Sequence, residues 1–284
     1  MSDPKQNWRH ILIRATRQLA AAGIAAPEYD ARALLAHHLK KPLNTLHIHL
    51  DQPVTDDALF EALIARRAAR EPLAHITGYR GFWSLDLAVT PDVLDPRPDT
   101  ETLIEAVLKT ISDRRVPLRI LDIGTGSGAV ILALLSELPH ATAIATDISD
   151  AALATAQQNA AANGLATRVT FQQTSWAQGI EEPFDIIVSN PPYIRTNIIA
   201  TLDPEVQEHE PHLALDGGSD GLAAYKDILA GLPTLRPHGA IIAFEIGFDQ
   251  ADEVQHLMEK AHITDISITR DFGGNERVIM GRYP

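Results

Sequence analysis

The 284-residue chain contains no cysteine. Disulfide scaffolds, zinc–thiolate sites and cysteine nucleophiles are therefore excluded. It also lacks any run of eighteen apolar residues, which excludes a helical membrane span. The first ten residues, MSDPKQNWRH, are polar and have no apolar signal core. The expectation is a soluble, cytoplasmic protein with no membrane partner. Basic residues are outnumbered by acidic ones, 24 to 37. The deficit is uneven: residues 1–75 carry ten Lys/Arg and eight Asp/Glu, whereas residues 76–284 carry fourteen and twenty-nine, a net charge of −15. Phosphate contacts dominate nucleic-acid affinity and require a basic excess. The larger part of the chain has the opposite, so no direct nucleic-acid partner is expected. The twelve histidines are scattered, and HEPH at 209–212 has only a loose metal-like spacing beside a proline. It is read as a loop with solvated imidazoles, and no metal site is expected.

What is present begins with helices. Ile11, Ala15 and Leu19 recur at helical spacing and Gly23 suits a stop. PEYDARALLAHHLK opens on proline and acidic residues, as a helix start should. TDDALFEALIARRAARE follows, with Thr55 as its expected cap and Pro72 beyond its end. Residues 1–75 thus read as a helical bundle domain. The pattern changes to alternating and aromatic residues in HITGYRGFWSLDLAVTPDVLDPRPDTE, which fits a hairpin and a Pro-rich loop over 76–97. Asp99 or Thr100 is then expected to cap the helix ETLIEAVLKTI, which lies at the start of a second, larger domain over 98–284.

Seven strand candidates follow: RILDIG, TAIATD, VTFQQT, FDIIVSN, GAIIAFEIG, DISITR and ERVIMGR. Helical stretches are expected between the first five, notably GAVILALLSEL and DAALATAQQNAAANG. The second of these starts after Ser149 and stops at Gly164. Such alternation implies an α/β fold, a doubly wound and mostly parallel sheet covered on both faces. The last two strands are joined by DFGGNE alone, so one of them runs antiparallel.

The first strand of this series ends in LDIGTGSG. Gly124, Gly126 and Gly128, with Thr125 and Ser127 between them, permit a tight turn and close approach of a ligand to the backbone. The next strand ends in Asp147, which can accept ribose hydroxyls or make a local turn in DISD. A nucleoside-containing ligand follows. Asp122 is read as structural, bonding the backbone amides of the loop.

SNPPYI closes the fourth strand. Pro191 keeps Asn190 extended, and two prolines without N–H leave the Pro191 carbonyl out of any helix. Asn190 offers a carboxamide oxygen and Tyr193 a flat face. Together they make a clamp for a planar –NH₂: two acceptors orient a poor nucleophile and favour the positive charge that it gains on alkylation. A protein that merely binds the nucleoside-containing ligand has no use for such a clamp, which weighs against a non-enzymatic reading.

LDIGTGSG, Asp147 and NPPY together resemble the S-adenosylmethionine-dependent amino methyltransferases. NPPY does not separate adenine, guanine and glutamine amides as acceptors, and a nucleic-acid amino methyltransferase is the alternative. EPLAHITGYRGFWSLDLAVTPDVLDPRPDTE and DFGGNERVIMGRY resemble the linker and C-terminal hairpin of the protein-(glutamine-N5) methyltransferases, which act on the GGQ glutamine of peptide chain release factors. The resemblance covers nearly the whole chain and implies a Rossmann-like methyltransferase domain, S-adenosyl-L-methionine as cofactor, release factors as protein partner, an N-terminal substrate-docking domain and a monomer. It places residues 124–128, Asp147, Trp176 and Asn190 at the cofactor, and Asn190, Pro191, Pro192 and Tyr193 at the glutamine amide. Trp176 has a second reading as a half-buried surface aromatic. Family members often have Asp before that Trp, where this chain has Ser175, a weaker acceptor for an adenine amino group. Arg97 reaches the mouth of the site or pairs with a carboxylate. Glu245 is read as supporting the site rather than acting in it.

Overall fold

The computed structural model describes residues 7–54, 57–232 and 239–284. They form two compact units, Met1–Gly78 with Asp203–His209, and Tyr79–Leu202 with Glu210–Pro284. No described helix is long and apolar enough to cross a membrane.

In the smaller unit, helix α1 (Trp8–Ala21) buries Trp8, Ile11, Ala15 and Leu19 along one stripe, the pattern of an amphipathic helix. The Asn7 side chain caps it by accepting from His10 N at 3.1 Å. Helix α2 (Pro27–Leu39) starts on its proline, α3 spans Ala58–Ala68 and α4 spans Leu73–Thr77. Thr55, the expected cap of α3, lies outside the described residues. Leu34, Leu35, Leu46, Phe60 and Ile64 complete the core. A buried charge cluster accompanies it: Arg67 Nε donates to Asp30 at 2.7 Å, and the Arg67 guanidinium also meets Glu205 at 3.1 Å. Arg70 Nε holds the second oxygen of Glu205 at 2.8 Å. The pairing stops these charges from standing uncompensated in the interior, and it ties the distant segment 203–209 into the bundle.

The larger unit opens with an antiparallel hairpin, β1 (Tyr79–Phe82) and β2 (Leu85–Ala88). Helix α5 (Glu101–Lys109) follows. Thr100 does not cap it through its side chain: it already has helical angles, φ −65° and ψ −21°, after a short 3₁₀ turn over Pro98–Thr100. The Asp99 side chain makes no capping bond either, since the 3₁₀ turn moves the entry to the helix back to Arg97.

All seven expected strands are present, as β3 (Arg119–Ile123), β4 (Thr142–Asp147), β5 (Val169–Gln173), β6 (Ile186–Ser189), β7 (Ile241–Glu245), β8 (Thr264–Arg270) and β9 (Glu276–Arg282). They form one sheet in the order β5-β4-β3-β6-β7-β9-β8. Only β9 runs antiparallel, against both β7 and β8. Strand side chains alternate between two cores, as a period of two requires. Ile120, Ile186, Val188 and Ala243 pack on one face with α5 and helices α6 (Ala129–Glu137) and α7 (Asp150–Ala162). Leu121, Ile123, Ile187, Ile242 and Phe244 pack on the other with the helices Ala223–Gly231 and Ala251–Lys260. A further expectation fails: the link from β5 to β6, residues 174–185, contains no helix. Gly179, at φ 76°, and Pro183 interrupt any helical period there.

Candidate active site

The strand order runs outward in both directions from β3 and β6. In open α/β sheets ligands bind outside the carboxyl ends of the strands at such a reversal. The glycine loop follows β3 and the NPPY segment follows β6, so the two lie at neighbouring strand ends. Ser189 Oγ donates to the Ile123 carbonyl at 2.6 Å and fastens those ends together.

The loop is held by its neighbour strand. Gly124 N and Thr125 N both donate to the Thr146 carbonyl at 2.9 Å, and Gly126 N donates to Asp147 Oδ2 at 2.9 Å. The other Asp147 oxygen accepts Ser149 N at 2.9 Å, so the local turn in DISD is real and coexists with the loop contact. At Gly124 and Gly126, both with positive φ, an added Cβ would meet nothing within 4 Å: the backbone faces open space. Gly128 differs, since a Cβ there would stand 3.2 Å from Ala156 and Leu132, and glycine lets α6 and α7 close on each other. Asp122 does not bond the amides of Gly124, Thr125 and Gly126, which Thr146 and Asp147 have taken. It accepts the Thr125 hydroxyl at 2.7 Å. Burial raises its carboxyl to about 7, with Thr125 opposing and Asp147 adding to the rise.

A cavity of about 310 Å³ opens at this sheet edge, the size class of a small-molecule site. Residues Gly124, Thr125, Gly126, Ser127, Asp147, Trp176 and Asn190 border it, as do Ser175, Arg97, Thr100 and Pro192. Gly128, Pro191 and Tyr193 do not. Trp176 is half-buried with φ 54°, a conformation unusual for a bulky residue. It is fixed at both ends: its carbonyl accepts the Thr146 hydroxyl at 2.6 Å, and its indole N–H donates to Asp227 at 3.4 Å. Asp227 borders the same cavity as Ser175.

Asn190 is half-buried, and its Nδ2 donates to the Thr100 hydroxyl at 3.2 Å. Among the described residues no donor reaches its Oδ1 or the Pro191 carbonyl. The Tyr193 hydroxyl donates to Glu245 Oε1 at 3.2 Å, and its backbone carbonyl accepts from Gln250 Nε2 at 3.0 Å. Burial pushes the Tyr193 phenol up, and Glu245 adds to it. Burial also lifts the Glu245 carboxyl to about 7, against the pull of Thr100, Arg277 and Tyr193.

Arg97 combines both of its expected roles. It borders the cavity and its guanidinium donates to Glu210 Oε1 at 3.0 Å. Glu210 Oε2 accepts Asp95 N at 3.1 Å, so this buried carboxylate anchors the Pro-rich loop. Its burial raises it to about 7 despite Arg97. Within HEPH the working group is thus Glu210, and the His209 ring is not freely solvated, since its Nε2 is buried without a hydrogen-bond partner. Asn159 is a second anchor: it accepts Ala88 N at 2.7 Å and donates to the carbonyls of Ala88 and Ser127, joining the hairpin to the glycine loop. Glu210, Asn159 and the Thr100–Asn190 bond escape sequence reasoning because each partner is remote, 113 residues away for Arg97 and Glu210.

Residues 10–78 match the PrmC N-terminal domain and residues 97–208 match the methyltransferase small domain. With the strand order and the glycine loop, these define a Rossmann-like methyltransferase. A protein of Agrobacterium fabrum named release factor glutamine methyltransferase is 45% identical over 276 residues, covering 95% of this chain and 96% of that protein. One of Cereibacter sphaeroides with the same name is 46% identical over 274 residues, covering 95% and 96%. The chain belongs to the release factor glutamine methyltransferase family. Among solved structures, the hMettl16 catalytic domain in complex with the MAT2A 3'UTR hairpin 6 shares the fold, with a TM-score of 0.59 at 16% identity over 78% of this chain and 82% of that one.

Proposed function

We propose that the chain transfers a methyl group from S-adenosyl-L-methionine to the side-chain amide nitrogen of the GGQ glutamine in peptide chain release factors. The reading is carried by Asn190, whose amide nitrogen is engaged by Thr100 while its Oδ1 is without a donor at the cavity edge, beside the glycine loop.

The residues present fit the cofactor. Each Asp147 oxygen accepts one backbone N–H and keeps acceptor capacity for ribose hydroxyls. The open-faced backbone at Gly124 and Gly126 admits a ligand at contact distance, and Trp176 borders the cavity as a flat wall for an adenine. When bound, the cofactor supplies an electron-poor methyl on a sulfonium. The chain supplies the rest. Asn190 Oδ1 and the Pro191 carbonyl each accept one hydrogen of the glutamine –NH₂ and orient its nitrogen towards that methyl. Both acceptors favour the positive charge that develops on nitrogen. No strong base has to act first, because the acidified proton leaves afterwards. Tyr193, held by Glu245 and Gln250, stiffens the segment behind the clamp. The net charge of −15 over residues 76–284 supports a protein acceptor over nucleic acid.

Methyl-labelled S-adenosylmethionine tests the reading against three acceptors: a purified release factor, its GGQ Gln→Ala variant, and total nucleic acid. Label is expected on the unmodified factor alone. Label on the Gln→Ala variant or on nucleic acid would overturn the assignment.

A further inference from the structure

Thr100 stands at a helix start, where a threonine hydroxyl is ordinarily engaged by the helix's own amides. It makes no such bond. The residue is 3% exposed, and its hydroxyl instead accepts from Asn190 Nδ2 at 3.2 Å. A hydroxyl has one proton to donate, and the Glu245 carboxyl at the end of β7 is the group beside it that gains from that proton. Glu245 Oε2 is buried without a partner at hydrogen-bond distance, so the carboxyl retains acceptor capacity. Its other oxygen holds the Tyr193 hydroxyl at 3.2 Å, which restrains the carboxyl from rotating. The Thr100 hydroxyl oxygen thus serves as the acceptor that faces Asn190.

We propose that Thr100 is a positioning residue, which fixes the Asn190 carboxamide with Nδ2 turned inward and Oδ1 turned to the incoming amide. The inference rests on Asn190 being the glutamine clamp. The terminal torsion of asparagine is broad and roughly two-fold, so nothing intrinsic to the side chain selects one face. The flipped carboxamide would present N–H₂ to the N–H₂ of glutamine, donor against donor. The PRPDTE loop then contributes to the reaction through its threonine, from a position 90 residues before Asn190.

The test compares wild type, Thr100→Val and Thr100→Ser for kcat, KM for the release factor and cofactor Kd. Valine keeps the shape and removes the acceptor. Thr100→Val is expected to lower kcat about tenfold or more, the effect of leaving a half-buried N–H₂ facing a methyl group. Cofactor Kd should stay within about twofold, because the loss falls on a contact made in the transition state. Thr100→Ser, which restores the hydroxyl, should recover most of the rate. Thr100→Val turning over like wild type would overturn the proposal. So would a serine variant as slow as the valine one, since the effect would then belong to packing. A wild-type enzyme inactive on release factors would overturn the acceptor assignment and this inference with it, and is told apart because wild type itself fails.

Discussion

The Asp147 carboxylate accepts the backbone N–H of Gly126 at 2.9 Å. One side chain therefore shapes the glycine loop and faces the cavity that the loop borders. Its second oxygen holds Ser149 N, the N-cap of α7. Loop, carboxylate and helix start are coupled, and a change at Asp147 is felt by all three.

Asp147→Ala should weaken cofactor binding by about 1.5–3 kcal/mol, the range for hydrogen bonds to a charged group. Titration calorimetry with S-adenosylmethionine measures it directly. Unchanged affinity would show that Asp147 serves only the local turn.

Trp176 borders the cavity while Trp8 is buried in the N-terminal bundle. Cofactor binding should change the intrinsic fluorescence, and Trp176→Phe should abolish most of that change. Trp176→Ala should cost about 0.5–1.5 kcal/mol of cofactor affinity, the scale of an aromatic stacking contact. A fluorescence response that survives Trp176→Phe would contradict the placement.

Arg67→Ala leaves Asp30 and Glu205 without the cation that both share. Removing one partner of a buried pair costs about 3–5 kcal/mol. The smaller unit should unfold at lower temperature, read from Trp8, whose side chain lies in its core. A melting curve identical to wild type would show that the cluster is idle.

Stability should depend on pH through Asp122, Glu210 and Glu245, each raised by burial to about 7. Their folded-state values exceed the unfolded ones. The folded chain therefore binds more protons between about pH 4.5 and 7, and each group lowers stability as pH rises through that window. Below it the sign reverses for Glu205 and Glu71. Burial pushes Glu205 up, but its own amide, Arg70 and Arg67 bring it below the usual range; for Glu71 the Arg66 hydrogen bond dominates and lowers it. Their contribution is lost as pH falls. Glu210→Gln should flatten the descent between pH 4.5 and 7 in urea titrations, and an unaltered slope would remove Glu210 from the account.

Most of the seven strands are legible as short apolar runs between turn residues, and FDIIVSN or GAIIAFEIG reads as a buried strand on its own, while DISITR follows from the short DFGGNE link that pairs it with its neighbour. Gly128 was legible as a turn, though its second use, clearance for Ala156 and Leu132, is a matter of packing between two helices. The link 174–185 misled because alternation in the rest of the sheet suggested a helix that Gly179 and Pro183 do not allow. Asn159, Glu210 and the Arg67 cluster were not legible. Their bonds join residues 71, 113 and 138 positions apart, and periodicity carries nothing about side chains that meet only after the chain has folded. Thr100 illustrates the same limit: in sequence it reads as a helix cap, whereas the 3₁₀ turn gives it helical angles and its hydroxyl accepts from Asn190 instead.

The central claim is that Asn190 holds the acceptor amide in the transition state more than it holds the cofactor. Asn190→Ala, followed by single-turnover methylation of a release factor and by cofactor calorimetry, tests it most directly. The rate should fall about a hundredfold or more, as when one preorganised polar contact to the developing charge is removed, while cofactor Kd shifts by less than about threefold. Equal losses in rate and in cofactor affinity would contradict the claim and make Asn190 chiefly a cofactor ligand.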